Sequence, residues 1–199
     1  MHRNTRLIFE KFIKPRFQSN QKVLEVGPIL PSAFYESIGD PSITWHSADI
    51  CENPDLTYSG CDPYAIPAED ESYDVVFAAN VIEHVGKTWL WIKEMERICR
   101  PGGQLLLINP ISWPHHPDPT DCWRIYPDGM KALLDDTQFE LVDCRIEALE
   151  KPQYKRQVHG KSWGWCPFWV LVVYKLLGPF GFPVQSALDL VTIAVKKKN

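Results

Sequence analysis

Apolar positions along the chain fall into two rhythms. Between Asn4 and Phe17, Leu7, Ile8, Phe12 and Ile13 recur at helical spacing among Arg6, Lys11, Lys14 and Arg16, which predicts a short amphipathic helix over one side of a core. VLEVG (23–27) is a short apolar run ended by glycine and Pro28, the pattern of a buried strand leaving its sheet abruptly. Ser32–Ile38 predicts a short helix. ITWHSADI (43–50) and YDVVFAANVI (73–82) predict two further strands, the second almost wholly apolar. From Lys87 to Cys99, Leu90, Ile92, Met95 and Ile98 alternate with Lys93, Glu94, Glu96 and Arg97. That helix is stopped by Pro101-Gly102-Gly103. GQLLLINP (103–110) predicts another buried strand.

A proline-rich loop (110–127) follows, then a helix to Leu134 with Asp128 as its expected cap, and strands at FELVDCRI (139–146) and LDLVTIAVKK (188–197). Strands alternating with helices predict an open α/β sheet covered on both faces. In such sheets ligands bind beyond the carboxyl ends of the strands. The loops after Val26, Asp49, Ala79 and Ile108 are therefore where chemistry is sought.

Composition narrows the picture. A chain of 199 residues, 45% hydrophobic, is sized for one domain with a sizeable core. Its 21 basic against 25 acidic residues leave a net charge of -4, without the basic excess of an electrostatic nucleic-acid binder. No nucleic-acid partner is expected. Six scattered cysteines without a CxxC pair, and no signal-peptide pattern at the N-terminus, predict a cytoplasmic location.

From about Lys22 to Phe139 the chain resembles the class I S-adenosylmethionine-dependent methyltransferases, especially the group with the small type 11 domain. Three segments carry the resemblance in order: VLEVG, CDPYAIPAEDESYDVVFAANVIEHV (61–85) and ERICRPGGQLLLINP (96–110). It implies a Rossmann-like, seven-stranded, mostly parallel sheet with helices on both faces and the last strand antiparallel. It implies S-adenosylmethionine as cofactor and methyl transfer to an oxygen or nitrogen of a small or glycan-like acceptor. Asp49 would accept the ribose hydroxyls, with Ile50 beside it, and Asp62 the adenine amino group, with Ile66 lining the ring. Glu25 and Gly27 would flank the methionine end, and Asn80 and Val81 the same groove. Glu83-His84 matches an EH pair of the family; His84 is a candidate contact, while a helix-start glutamate and a packed histidine are equally natural structural roles.

Two departures open a rival reading. The family's glycine loop usually reads G-x-G-x-G, whereas Ile29 and Pro31 replace its second and third glycines, placing side chains where backbone approaches cofactor. Pro63 follows the presumed adenine acid and has no N–H to give the ring. A catalytically silent binding or scaffold protein on the same fold is the alternative. A nicotinamide dehydrogenase is disfavoured, because VLEVGPILPS lacks its glycine spacing.

The segment SWPHHPDPTDCWRIYPDGM (112–130) crowds polar and aromatic residues at the mouth of the expected site. His115 or His116 is the candidate general base and Arg124 the candidate anchor for an acceptor carboxylate or phosphate. The competing reading has Asp121 and Arg124 pairing to stitch the loop down. No metal site is expected, since adjacent histidines point apart on an extended chain and the spacing matches no ligand motif. At about 150–187 lies an apolar insertion. Its core, PFWVLVVYKLLG (167–178), is preceded by Trp163 and Trp165 and by a basic run (Lys151, Lys155, Arg156, Lys161), and followed by Phe180 and Phe182. A helix of this length is roughly 18 Å long, too short for a bilayer core of about 30 Å. Residues 163–182 are therefore expected to pack on the sheet, to form a homodimer seam, or to make a peripheral membrane contact.

Overall fold

The computed structural model describes residues 3–149, 155–158, 161–165, 168–177 and 188–198. Its strands are β1 (Lys22–Val26), β2 (Thr44–Ala48), β3 (Tyr73–Ala79), β4 (Cys99–Ser112), β5 (Phe139–Glu147), β6 (Lys155–Val158), β7 (Lys161–Trp165) and β8 (Leu188–Lys196). The helices are α1 (Arg3–Ile8), α2 (Ala33–Ile38), α3 (Thr88–Ile98), α4 (Pro127–Asp135) and α5 (Phe168–Leu177). Six strands make the main sheet, ordered β2-β1-β3-β4-β8-β5. Strands β1 to β4 pair in parallel, and β8 runs antiparallel between β4 and β5.

Strand alternation decides which residues meet which layer. Val23, Val75, Phe77, Leu106 and Val191 pack with Ile8, Phe9, Ile13 and Phe34 on one face. Leu24, Val76, Ala78, Leu105 and Leu107 pack with Trp91, Ile92, Met95 and Ile98 of α3 and Met130 and Leu134 of α4 on the other. Each fully buried aliphatic side chain contributes about 1.5–3 kcal/mol, so these two layers supply the main drive to fold. The N-terminal helix is also held by polar contacts: Asn4 Nδ2 donates to Asp189 Oδ2 at 2.9 Å and to the Glu147 carbonyl at 3.1 Å.

Three expectations change. A seventh strand of the main sheet is not found among the described residues. Along the outer edge of β2 only Tyr58 pairs, giving its N–H to the Ser47 carbonyl (2.9 Å) and accepting from Asp49 N–H (3.1 Å). Thr57 and Ser47 exchange side-chain to backbone bonds beside it, and Pro54, Pro63 and Pro67 lack the N–H groups needed to extend a ladder. The first helix keeps α geometry only to Ile8. It widens to a π turn over Phe9–Ile13 and tightens to a 3-10 turn at Lys14–Arg16, where Pro15 has no N–H for the α ladder. Finally, α4 begins at Pro127 with Tyr126, not Asp128, in the capping position; Asp128 lies in the first turn instead.

In the insertion the antiparallel pair β6–β7 precedes α5. No helix of the described residues is long and apolar enough to cross a membrane. Lys151, Phe180 and Phe182 lie outside the described residues.

Candidate active site

The carboxyl ends of β1, β2 and β3, with the loop after β4, enclose a cleft of about 880 Å³. A second depression of about 270 Å³, between α4 and β5, lies away from these strand ends. β1 delivers Glu25 and Gly27 to the cleft. Glu25 is buried, and its Oε2 accepts from Trp45 Nε1 at 2.9 Å; burial pushes its carboxyl above the ordinary range, against the hydrogen bonds from Ser32 and Trp45. Gly27 turns the chain with φ +68° and gives its N–H to the Ala48 carbonyl at 2.8 Å. A Cβ there would lie 2.5 Å from Val81 Cγ2, so both the φ and the close approach require glycine.

Asp49 stands at the end of β2 on the cleft wall, with Oδ1 accepting from Cys51 N–H at 2.8 Å. Ile50, Ile66, Asn80, Val81 and His84 also line the cleft. Ile66 is fixed by its N–H to Glu94 Oε1 at 2.7 Å. Asn80 adopts a left-handed φ of 58° and bonds the Thr5 hydroxyl, which ties the N-terminal helix to the end of β3. The residues that replace the usual glycines, Ile29 and Pro31, line the cleft too, as does Pro63.

Three of the residues singled out from the sequence stand elsewhere. Asp62 is exposed and off the cleft wall. Its Oδ1 accepts from Tyr64 N–H at 2.8 Å, a local Asx turn that aims the carboxylate at its own loop. His115 is exposed, while its neighbour His116 lines the cleft, because successive side chains on an extended segment point opposite ways. Arg124, the candidate acceptor anchor, is engaged within its own loop. Its guanidinium donates to Asp121 Oδ1 (2.5 Å) and Oδ2 (2.8 Å) and to the carbonyls of Trp113, Pro114 and Trp123. The fork is fully used inside the loop, and it holds the Asp121 carboxyl well below the usual range.

The same loop is clamped to the end of β3. Cys122 and Trp123 give their N–H groups to the Glu83 carbonyl (2.7 and 3.2 Å), Thr120 Oγ1 donates to the His84 carbonyl (2.7 Å), and Trp123 Nε1 to that of Val85 (2.9 Å). This clamp brings His116 beside His84, ring centroids 5.0 Å apart and nearly perpendicular. Glu83 lies beneath them, 1% exposed, with neither carboxylate oxygen accepting a hydrogen bond; burial pushes its carboxyl up to about 8. The Glu-His pair and the helix-start pattern are the sequence's signals for Glu83, and neither gives it a site role; Tyr64 and Trp113 also stand on the cleft wall. Only the aromatic residue after Pro63 and the tryptophan before the histidine pair hinted at them.

A family model described as the methyltransferase domain matches residues 40–107. The sheet order and the cleft at its carboxyl edge agree with that match. Over those residues the chain is similar to the methyltransferase domain. An uncharacterized methyltransferase of Mycobacteroides abscessus is 39% identical over 56 residues, a stretch covering 28% of this chain and 22% of that protein. The 27-O-demethylrifamycin SV methyltransferase of Amycolatopsis mediterranei is 28% identical over 125 residues, covering 59% of this chain and 45% of the relative. The chain thus spans less than half the length of either. Among solved structures, the Haemonchus contortus phosphoethanolamine N-methyltransferase 2 in complex with S-adenosyl-L-methionine superposes with a TM-score of 0.60 at 13% identity, covering 98% of this chain and 52% of that one. At that identity the likeness is one of fold.

Proposed function

We propose that the chain transfers a methyl group from S-adenosylmethionine to an oxygen or nitrogen of a small or glycan-like acceptor. The observation that carries this reading is the pair of carboxylates, Glu25 and Asp49, at the ends of adjacent parallel strands on one cleft of about 880 Å³. One free Asp49 oxygen suits ribose hydroxyls, and the buried Glu25 suits the charged amino end of the cofactor. The Haemonchus neighbour holds this cofactor on the same fold, and the name of the rifamycin relative describes an O-methyl transfer. In the step itself an acceptor oxygen attacks the sulfonium methyl carbon as the carbon–sulfur bond breaks. The bonding pair stays on sulfur as a neutral thioether, and the hydroxyl proton leaves at the mouth of the cleft. There His116, which lines the cleft, is the proposed base in preference to the exposed His115.

The catalytically silent reading is favoured by Ile29, Pro31 and Pro63, whose side chains occupy the cleft wall. Titration calorimetry with S-adenosylhomocysteine, and with NAD as control, separates the readings: one-site binding of the former alone is expected, and its absence overturns methyl transfer. On α5, Trp169 and Leu176 are 68% and 66% exposed, which supports contact of the 163–182 segment with a second copy or a lipid surface. Trp169→Glu is expected to abolish dimerisation or flotation with anionic liposomes. A wild-type chain that shows neither behaviour ends that proposal.

A further inference from the structure

The Glu83, His84 and His116 group at the mouth of the cleft presents acceptors without a donor. Each carbonyl oxygen can only accept, so the imidazole nitrogen that meets one must carry the proton. His84 Nδ1 meets the Thr120 carbonyl, and His116 Nδ1 meets the Pro114 carbonyl at 2.9 Å. Both rings are thereby held as the tautomer whose Nε2 bears a free lone pair. The His84 Nε2 is 3.8 Å from Glu83 Oε1, too far for a hydrogen bond between them. One ligand atom from each of the three residues lies within 4.8 Å of the others.

One ring nitrogen of each histidine and a carboxylate oxygen therefore lie together at a carboxyl group that is 1% exposed and accepts no hydrogen bond. Burying such a group without a partner is costly, and the nearby Arg124 is already spent on Asp121. A cation satisfies all three groups at once. The outer contacts have the matching form: each ring donates its second nitrogen to a backbone carbonyl, and Asp121 Oδ2 stands 3.3 Å from His116 Nδ1. Such contacts orient metal-binding histidines.

We propose that Glu83, His84 and His116 bind one divalent transition-metal cation. Two histidines and one carboxylate leave coordination positions open, as in catalytic rather than structural sites. His84 and His116 both line the cleft, so the open positions face the space where an acceptor would lie. With the cation bound, an acceptor hydroxyl would take one of them and give its proton to water at the open mouth, His116 then being a ligand rather than the base it is in the metal-free reading. This last role rests on the methyl-transfer reading; cation binding does not. The two histidines come from different strand-end loops, which is why their spacing in sequence shows no ligand motif.

The test is cobalt(II) titration of the full chain after dialysis against a chelator, followed by visible absorption. One equivalent is expected, with d–d bands and no sulfur charge-transfer band. His84→Ala and His116→Ala should each weaken binding at least about tenfold. Glu83→Gln, which removes a buried charge and keeps the shape, should weaken it too while circular dichroism stays unchanged, and His115→Ala should have no effect. A wild-type chain that takes up no cobalt or zinc, a thiolate band, or binding indifferent to the His84 and His116 changes overturns the site. S-adenosylhomocysteine calorimetry in chelator keeps the two proposals apart: cofactor binding without metal uptake removes this site alone, and metal uptake without cofactor binding removes the methyl-transfer reading alone.

Discussion

The two walls of the cleft are built on different physical terms. The wall formed by β1 and β2 is made of strand ends. Glu25, Gly27 and Asp49 stand where they do because Val23, Leu24 and Ala48, immediately before them, are fixed in the core and in the parallel ladder. The opposite wall is a loop between residues 112 and 126, held by polar contacts to Glu83, His84 and Val85 across some 36 to 40 positions of chain. On the first wall a residue's neighbours in sequence determine its neighbours in space. On the second, a charged residue that looks like a ligand, Arg124, is a structural clamp, and one that looks structural, Glu83, is left without a hydrogen-bond partner at the site.

The largest expected effect tests that second wall. The Asp121 side chain is 2% exposed and its charge is matched by Arg124, so Arg124→Ala leaves the carboxylate with only the His116 N–H and should cost about 3 kcal/mol in urea-denaturation stability. Its effect on S-adenosylhomocysteine affinity should be much smaller, because Asp49 and Glu25 are held by the sheet. A stable Arg124→Ala protein that simply fails to bind an identified acceptor would return Arg124 to the role of anchor.

Asp49→Ala should do the opposite. The side chain makes one local hydrogen bond, to Cys51 N–H, so folding should be little affected. Cofactor-product affinity should fall by about 1.5–3 kcal/mol in calorimetry, the scale of hydrogen bonds to a charged group. Unchanged affinity would remove Asp49 from the site and erase the contrast between the walls.

The smallest effect concerns pH. Burial holds the Glu25 carboxyl above its ordinary value of 4.5, so folding favours its neutral form. That contribution is fully present below about 4.5 and is lost as pH rises through the raised value. In cofactor-free protein, Glu25→Gln should therefore gain stability relative to wild type between pH 4 and neutrality, read as a growing difference in Tm. A constant difference across that range would mean that Glu25 titrates normally and is reached by water.

Much of the fold was legible because its signals are local. The β1, β3, β4, β5 and β8 strands are apolar runs bounded by glycine, proline or charge, and α3 shows one apolar stripe. The seventh strand failed because it was expected from resemblance rather than from residues 49–72 themselves, where prolines and side-chain hydrogen bonds leave only Tyr58 paired to the edge of β2. Glu25, Gly27, Asp49, Ile50, Ile66, Asn80, Val81 and His84, expected from the resemblance as cofactor contacts, all line the cleft. Asp62 was not separable from them by sequence: a carboxylate two residues before an N–H it can accept is an Asx turn or a ligand depending on which way its loop faces.

What the sequence determined alone is the sheet, its two covered faces and the edge at which the cleft opens, because hydrophobic periodicity and turn residues act over a few positions. What only the tertiary structure decided is the chemistry of the mouth: that Arg124 is consumed by Asp121, that His116 rather than His115 faces inward, and that His116 meets Glu83 and His84. The first rests on bonds within one loop, three to eleven residues apart, and the meeting with Glu83 and His84 on bonds between segments more than thirty residues apart, all of them individually small. They become definite only once the core has brought their donors and acceptors within reach.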